Sequence, residues 1–226
     1  TWGGHRVLAF LEPGATAGSG AVRIVDARGT EFGEQLPELA GLAVRVAARS
    51  AVLDGELVVV DQHGRADDEA LRERLSGRPG RPVAFLVFDL LHLDGRWLLG
   101  QALDKRRAAL RRVLRPGDEV VMVPAITGEG RALHAAVSAQ GIAGVLARRR
   151  SSPYLPGVHS RLWRSILAAP PGGASLADAD REPGGRAEGA AMGDPAASTA
   201  TGTAPVLAMF RRLPFPDEPP EGGPGP

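Results

Sequence analysis

Two carboxylates stand near the start of an otherwise apolar segment that runs from Ala51 to Asp61. If this segment is a strand, Asp54 and Glu56 lie on one face, because side chains two residues apart in a strand point the same way. Carboxylates in such surroundings are costly unless they meet water, a cation or hydrogen-bond donors. The pair therefore indicates either a ligand-facing site or a strand edge at which both groups reach solvent.

The element that must support this pair is the longest apolar run in the chain, from Pro82 to Gly95. It is rich in β-branched, aromatic and leucine residues and ends in a turn signal, so we expect a central strand that is apolar on both faces. Strict alternation divides its residues between two faces. One face takes Val83, Phe85, Val87 and Asp89, and the other takes Phe88 and Leu90.

The other predicted elements mix strands and helices without a strict βαβ order. The predicted strands are 7–11, 21–25, 51–61, 119–125, 144–147 and 162–167, and the predicted helices are 37–48, 67–75, 104–114 and 131–140. In the helix 104–114, apolar residues would face inward and basic residues mostly outward. The inward set is Leu103, Ala108 and Leu110, and the outward set is Lys105, Arg106, Arg107, Arg111 and Arg112. These patterns predict an α+β fold with largely antiparallel sheets flanked by helices.

Composition divides the chain near residue 170. Of the 57 residues from 170 to 226, 21 are Gly or Pro, and such a stretch cannot bury enough apolar surface to order itself. We therefore predict one domain over residues 1–169 and a disordered Pro/Gly-rich tail over 170–226. The apolar patch 206–213 is either a docking peptide or a weakly structured end.

The domain carries 23 basic and 18 acidic residues. This net charge of +5 mildly favours the binding of a polyanion.

Several classes of protein are disfavoured by the totals. The 226 residues include no Cys, which excludes disulfides and thiolate metal sites, and the five histidines lack metal-ligand spacing. No apolar run reaches the roughly 18–20 residues of a membrane span, and the N-terminus has no signal-peptide core, so we expect a cytoplasmic protein. Lys105 is the only lysine among 27 basic residues, and an arginine side chain cannot act as an amine nucleophile.

Three segments, in order and in register, resemble the nucleotidyltransferase (adenylation) domain of ATP-dependent DNA ligases, especially the bacterial end-joining type. They are residues 53–58, residues 85–95 and the loop 151–157 with the following Ser160, Arg161 and Trp163. The resemblance implies an ATP-grasp-like α+β domain, ATP and Mg²⁺ as cofactors, DNA as a partner, and a role in DNA repair and recombination. In that family a lysine attacks the α-phosphate of ATP, and the AMP is then moved to a DNA 5′-phosphate.

The catalytic positions of the family are altered in this sequence. Its first motif, Lys-x-Asp-Gly-x-Arg, matches residues 1–6, where Thr1 stands at the lysine position and Gly3 at the aspartate position. The glutamate of its fourth motif, which is used with metal, matches Ala143. The resemblance thus implies a domain with an impaired nucleophile site.

The resemblance also implies a nucleotide-binding shell. Phe88 would stack on adenine, Glu56 would meet the ribose or a metal-bound water, and Arg6 would face ribose or phosphate. Arg148, the first of three consecutive arginines, would hold phosphate or the DNA backbone. Each role has a purely structural alternative: Phe88 as core, Glu56 as a strand-end carboxylate, and Arg6 and Arg148 as solvated surface groups.

Three hypotheses for function remain open. The first is a degenerate adenylation domain that binds a nucleotide, a DNA end or another repair protein without forming lysyl-AMP. The second is an active ligase completed by another chain or by upstream sequence, and the third is a remnant without a ligand. Family ligases continue into an OB-fold domain, and we expect none here because the Pro/Gly-rich segment begins a few residues after Leu167.

Overall fold

The computed structural model describes residues 2–140, 142–158 and 160–168. In this part of the chain, the strands of the main sheet are β1 (His5–Leu11), β2 (Val22–Asp26), β3 (Ala51–Val58), β4 (Ala84–Leu93), β5 (Arg96–Trp97) and β6 (Val120–Met122). Their order is β2-β1-β3-β4-β5, with β6 paired to β4. A second, small sheet pairs β7 (Gly144–Arg148) with β8 (Trp163–Leu167).

The helices flank this main sheet. They are a 3₁₀ helix over Pro37–Arg45, α1 (Asp68–Leu75), α2 (Leu103–Val113) and α3 (Gly130–Ala139). α1 begins where the side chain of Asp67 accepts a hydrogen bond from the amide of Ala70, a typical N-cap. The predicted α+β class is confirmed, and the pairings are antiparallel apart from β4 with β6, which is parallel. The predicted tail 170–226 lies outside the described residues.

The predicted central strand is confirmed, because β4 pairs with β3, β5 and β6. Apolar side chains cover both of its faces. Phe85, Val87 and Leu90 belong to the larger core, whereas Ala84 and Leu86 belong to a smaller core with residues such as Val121. β4 thus joins two apolar layers, as its composition predicts.

An irregularity in β4 overturns the strict alternation predicted for it. Asp54 pairs with Asp89, but the next residue of β3, Gly55, pairs with Val87, so Phe88 has no partner opposite it. Such a bulge inserts one residue into a strand and shifts the alternation beyond it. Asp89 therefore lies on the same face of the sheet as Asp54, and not on the face of Val87. Leu90 lies in the core with Val87. The prediction that placed Asp89 with Val87 is wrong for this reason.

α2 departs from its predicted faces at two positions. Leu103 and Leu110 are buried, and Lys105, Arg111 and Arg112 are exposed, as the pattern predicts. Arg106 and Arg107, in contrast, are buried, with 0% and 7% exposure. Their burial has a clear cause, because the carboxylate of Asp89 and backbone carbonyl oxygens accept hydrogen bonds from their guanidinium groups. The prediction of outward-facing side chains is wrong at these two arginines.

Candidate functional site

Each of the two central carboxylates of the sheet accepts two hydrogen bonds from one arginine side chain. Arg6 lies on β1, and its Nε and Nη2 donate to the two carboxylate oxygens of Asp54 at 3.1 and 2.8 Å. Arg106 lies on α2, and its Nε and Nη2 donate to the two oxygens of Asp89, both at 2.9 Å. Bidentate contacts of this kind fix both position and orientation. The site is therefore anchored from β1 on one side and from α2 on the other.

Burial at this site is unusually deep for ionised groups. Asp54, Asp89 and Arg106 are all fully shielded from solvent, so the charged forms depend on their partners. Desolvation raises the pKa of Asp54, although the charge and hydrogen bonds of Arg6 oppose that rise. Arg106 also donates through Nη1 to the carbonyl oxygens of Gln101 and Ser152, at 2.6 and 3.0 Å. It thereby fixes the start of the loop that follows β7.

Arg148, the last residue of β7, has the least satisfied side chain in the site. Only 9% of that side chain is exposed. Its Nη1 donates to Asp89 Oδ2 over 3.4 Å, and its Nη2 lies 3.8 Å from Asp54 Oδ2. Within the described part of the chain, Nε and Nη2 have no hydrogen-bond partner. Desolvation lowers the pKa of this guanidinium to about 10.

Aromatic rings enclose the Arg148 guanidinium. Its Cζ lies 3.9 Å from the ring centroid of Trp163 and 4.9 Å from that of Phe88, within the range of cation–π attraction. Arg6 is more distant, with Cζ 5.7 Å from Phe88 and 5.8 Å from Trp163. These contacts bring Arg6, Phe88 and Arg148, three of the predicted site residues, together.

The loop between β7 and β8 closes one side of the site. Trp163 Nε1 donates to Ser152 Oγ at 3.1 Å, and the Tyr154 ring meets the Trp163 ring edge-on with centroids 5.1 Å apart. Arg6 Nη2 donates to the Tyr154 hydroxyl at 3.3 Å. Burial raises the pKa of that hydroxyl to about 12, so it stays protonated near neutral pH.

A groove of about 840 Å³ opens beside these groups. Arg6, Asp54, Tyr154 and Trp163 line it, together with Arg161 and Arg164 of the loop and β8. Pockets of this size accommodate small ligands. With arginine and aromatic groups on its walls, the groove suits a ligand that carries both negative charge and an aromatic ring.

Glu56 is not among the residues that line the groove, and neither are Phe88 and Arg148. Glu56 Oε1 accepts a hydrogen bond from the amide of Gly4 at 2.5 Å, and its Oε2 accepts one from the amide of Trp2 at 3.5 Å. Glu56 therefore holds the segment that precedes β1. Asp54 and Glu56 share one face of β3 as predicted, since they pair with Leu8 and Arg6 of β1.

Gly3 and Ala143, the two positions at which the resemblance implies carboxylates in the family motifs, are neighbours. A Cβ at Gly3 would lie 3.9 Å from the Cβ of Ala143, and Ala143 is exposed. The carboxylate of Asp68, at the start of α1, comes within 3.6 Å of the same point. Thr1, predicted at the nucleophile position, lies outside the described residues.

The residues present do not fit a Mg²⁺ ion held by protein side chains. Among residues 2–140, 142–158 and 160–168, no group of three His, Cys, Asp or Glu could hold a metal ion. Asp54 and Asp89, the deepest carboxylates, are already paired with guanidinium groups. The Mg²⁺ that the resemblance implies has no site of this kind in the described structure.

Sequence reasoning missed the roles of Asp89 and Arg106. One signal was available: an acidic residue inside a buried strand requires a cation, and the next helix supplies two arginines at positions 106 and 107. The strand register that brings Asp89 and Arg106 together depends on the bulge at Phe88. This bulge cannot be predicted from the local sequence.

Comparison with known proteins establishes the class. The family described as the ATP-dependent DNA ligase domain matches residues 16–166, and the chain belongs to this family. The predicted resemblance is therefore confirmed. In the described residues, no helix is both long and apolar enough to cross a membrane.

Two of the similar proteins are LigD proteins of bacteria. The multifunctional non-homologous end joining DNA repair protein LigD of Mycobacterium tuberculosis is 36% identical over 162 residues, which cover 72% of this chain and 20% of that protein. The LigD of Pseudomonas aeruginosa is 31% identical over 153 residues, covering 67% of this chain and 18% of that protein. The chain thus spans about a fifth of the length of these relatives.

A solved structure has a similar fold. It is described as mycobacterial DNA ligase D complexed with ATP and MES, and it superposes with a TM-score of 0.62 at 32% identity. The alignment covers 74% of this chain and 52% of that one. The family match over residues 16–166 includes the three predicted motif segments 53–58, 85–95 and 151–157.

Proposed function

We propose that this chain is a ligase-family adenylation domain that binds ATP without forming a lysyl-AMP intermediate at residue 1. Its biological setting would be DNA end joining. Two relatives support the proposal: the solved mycobacterial DNA ligase D is described as complexed with ATP, and the M. tuberculosis LigD is described as a non-homologous end joining DNA repair protein.

The observation that carries the proposal is that the buried Nε and Nη2 atoms of Arg148 have no described hydrogen-bond acceptor. Arg6, Arg106 and Arg45 each use Nε and Nη2 to grip both oxygens of a carboxylate. The same edge of Arg148 is buried, and no described group accepts from it. A buried charged donor without a partner is costly, and phosphate oxygens match the spacing of a guanidinium edge. A phosphate-bearing ligand would satisfy it.

The rings around Arg148 suit the base of the same ligand. The guanidinium lies close to the rings of both Phe88 and Trp163. Stacking of adenine on Phe88 would require the guanidinium to leave that ring face and follow the phosphate. Binding would then exchange a cation–π contact for base stacking and for a bidentate phosphate contact.

Loss of self-adenylation follows from the chemistry of the residues present. The family reaction needs an amine nucleophile, and Thr1 stands at that position. Lys105, the only lysine, is exposed on α2 and lines a different pocket. Gly3 and Ala143 also lack the carboxylates of the family motifs. The proposed domain therefore binds the nucleotide and leaves it intact.

Equilibrium binding tests the proposal. ATP titration by calorimetry should give saturable binding, and Arg148→Gln should weaken it by about tenfold or more, since a hydrogen-bonded charge contributes about 1.5–3 kcal/mol. Arg150→Gln is the matched control, because Arg150 is exposed and pairs with Asp104. Absence of ATP binding at millimolar concentration, or equal affinity in the two variants, would refute the role of Arg148.

Adenylation is measured separately. Protein incubated with α-phosphate-labelled ATP and Mg²⁺ or Mn²⁺ should give no labelled band on a denaturing gel. An acid-stable AMP adduct that disappears in Lys105→Arg would show that the domain has an alternative nucleophile. That result would refute the non-catalytic proposal without affecting the binding proposal.

A DNA end is a second candidate ligand of the groove. Arg161 and Arg164 line the groove without an ion pair among the described residues, and Arg side chains of this kind contact phosphate backbones. Filter binding to nicked DNA should be steeply salt-dependent, and it should weaken in Arg161→Gln/Arg164→Gln. Binding that is insensitive to both salt and these substitutions would exclude the groove as the DNA site.

A further inference from the structure

A second pocket, of about 340 Å³, lies between α2 and the hairpin formed by β4 and β5. Its size is at the lower end of the range for ligand pockets. The floor is formed by the apolar side chains of Leu93, Leu98, Ala108 and Ala109, and the rim carries the cations Arg96, Lys105 and Arg112. The pocket is separate from the groove beside Arg6 and Tyr154, with which it shares no lining residue.

The rim cations are exposed and available. Arg96, Lys105 and Arg112 are all exposed, and no described carboxylate forms an ion pair with any of them. Their neighbours on α2 differ in this respect, because Arg106 pairs with Asp89 and Arg107 donates to backbone carbonyl oxygens. The pocket lining, as described, includes no acidic residue. A fitting ligand therefore has an apolar or aromatic group followed by several carboxylates.

The chain itself contains such a segment. Residues 213–221 read Leu-Pro-Phe-Pro-Asp-Glu-Pro-Pro-Glu, with three acidic residues and no basic one. Phe215 precedes the acidic pair Asp217 and Glu218 by two positions. Proline restricts the backbone before binding, which lowers the entropy lost on docking. The segment begins 45 residues after Ala168, and at roughly 3.3 Å per residue that length can reach any face of a domain of this size.

We propose that segment 213–221 docks into this pocket of its own molecule. Phe215 lies on the apolar floor, and Asp217, Glu218 and Glu221 face the cations of the rim. This interaction is independent of the proposed nucleotide-binding function, because it uses the other pocket and none of the residues assigned to the ligand.

The single lysine makes this proposal directly testable. A carbodiimide condenses an amine with a neighbouring carboxylate and leaves no spacer, and Lys105 is the only side-chain amine in the chain. The full-length protein is treated with carbodiimide, digested with trypsin and analysed by mass spectrometry. We expect the peptide that contains Lys105 to be joined to the peptide 213–226 through Asp217, Glu218 or Glu221.

Matched variants separate docking from random collision. Asp217→Asn/Glu218→Gln/Glu221→Gln should abolish the cross-link, whereas Asp178→Asn/Asp180→Asn/Glu182→Gln removes the same number of acidic residues elsewhere and should leave it unchanged. On the domain, Arg112→Gln should lower the yield several-fold, whereas Arg111→Gln, on the same helix but outside the pocket lining, should not. High salt should lower the yield because the charges are exposed.

Three results would overturn the proposal. The first is the absence of any cross-link between Lys105 and residues 213–221. The second is an equal spread of cross-links over the acidic residues of 178–194 and 217–221. The third comes from a mixture of ¹⁵N-labelled and unlabelled protein: cross-links joining one labelled and one unlabelled peptide would assign the segment to a second copy of the chain instead of its own molecule.

Discussion

Replacement of Arg106 by Met should destabilise the domain more than any other single arginine substitution discussed above. Arg106 and Asp89 have no exposed surface, and two hydrogen bonds of 2.9 Å join them. Met retains much of the apolar volume of the side chain but removes the charge. The carboxylate of Asp89 is then left in the interior without its main partner, which is the costly way to break a buried ion pair.

The expected magnitude follows from the hydrogen bonds that the Arg106 guanidinium donates. Removal of one partner of a buried pair costs about 3–5 kcal/mol, and the carbonyl oxygens of Gln101 and Ser152 are each deprived of a donor, at about 1 kcal/mol apiece. Two groups offset part of this cost: Arg148 lies 3.4 Å from Asp89 Oδ2, and the amide of Leu90 still donates to Oδ1. We therefore expect the free energy of unfolding to fall by about 3–5 kcal/mol.

Urea unfolding of the full chain, followed by circular dichroism, measures this quantity. A domain of this size shifts its melting temperature by roughly 2–4 °C per kcal/mol, so the midpoint of thermal unfolding should fall by about 10 °C. Arg111→Met is the matched control on the same helix. Arg111 is exposed, and its replacement should change stability by less than about 0.5 kcal/mol.

The double variant Arg106→Met/Asp89→Leu distinguishes a stranded charge from a packing defect. If the uncompensated carboxylate dominates the cost, removal of Asp89 as well should recover about 2 kcal/mol or more. Two results would contradict the reasoning: a fall in stability below about 1 kcal/mol in Arg106→Met, or a double variant that is no more stable than the single one.

Two further predictions concern β3 and the loop beside the site. Gly55→Ala should destabilise the domain by about 1–3 kcal/mol in urea unfolding, because the added Cβ would come within 2.6 Å of Leu86 O; an equal effect of Gly33→Ala, which meets nothing within 4 Å, would contradict this. Tyr154, the only tyrosine, should ionise near pH 12 in an ultraviolet titration, and Asp54→Asn should lower that midpoint because the Asp54 charge helps to raise it. Since the folded state holds this proton more tightly, stability should fall as the pH rises above about 10, and a midpoint near 10 in the folded protein would refute the burial argument.

The order of the elements could be predicted from the sequence because it depends on local pattern. The hairpin of β1 and β2, the strand β4 and the helices α1, α2 and α3 all carry the expected periodicity, and the structure places them within a few residues of the predicted bounds. The element 37–48 proved to be a 3₁₀ helix ending at Arg45. The parallel pairing of β6 with β4 could not be predicted, because it depends on contacts between segments distant in sequence.

The candidate site was only partly predictable for the same reason. Arg6, Phe88 and Arg148 were predicted through motif resemblance, and the structure brings them together. Glu56 was predicted with them but holds the backbone of Gly4 and Trp2. The contacts of Asp89 with Arg106 depend on the bulge at Phe88, since without that extra residue Asp89 would face the core.

The bulge also determines which charged side chains lie together in the site. By turning Asp89 to the face of Asp54, it places two carboxylates directly opposite one another, an arrangement that requires cations. Three guanidinium groups form ion pairs with these carboxylates. Arg6 and Arg106 each bind one carboxylate through two hydrogen bonds, and Arg148 makes only longer contacts with both. Of these three groups, Arg148 alone has a buried Nε and Nη2 that lack a described acceptor. An anion bound at that edge would complete the hydrogen bonding of Arg148 and offset its positive charge, which is why the proposed ligand carries a phosphate.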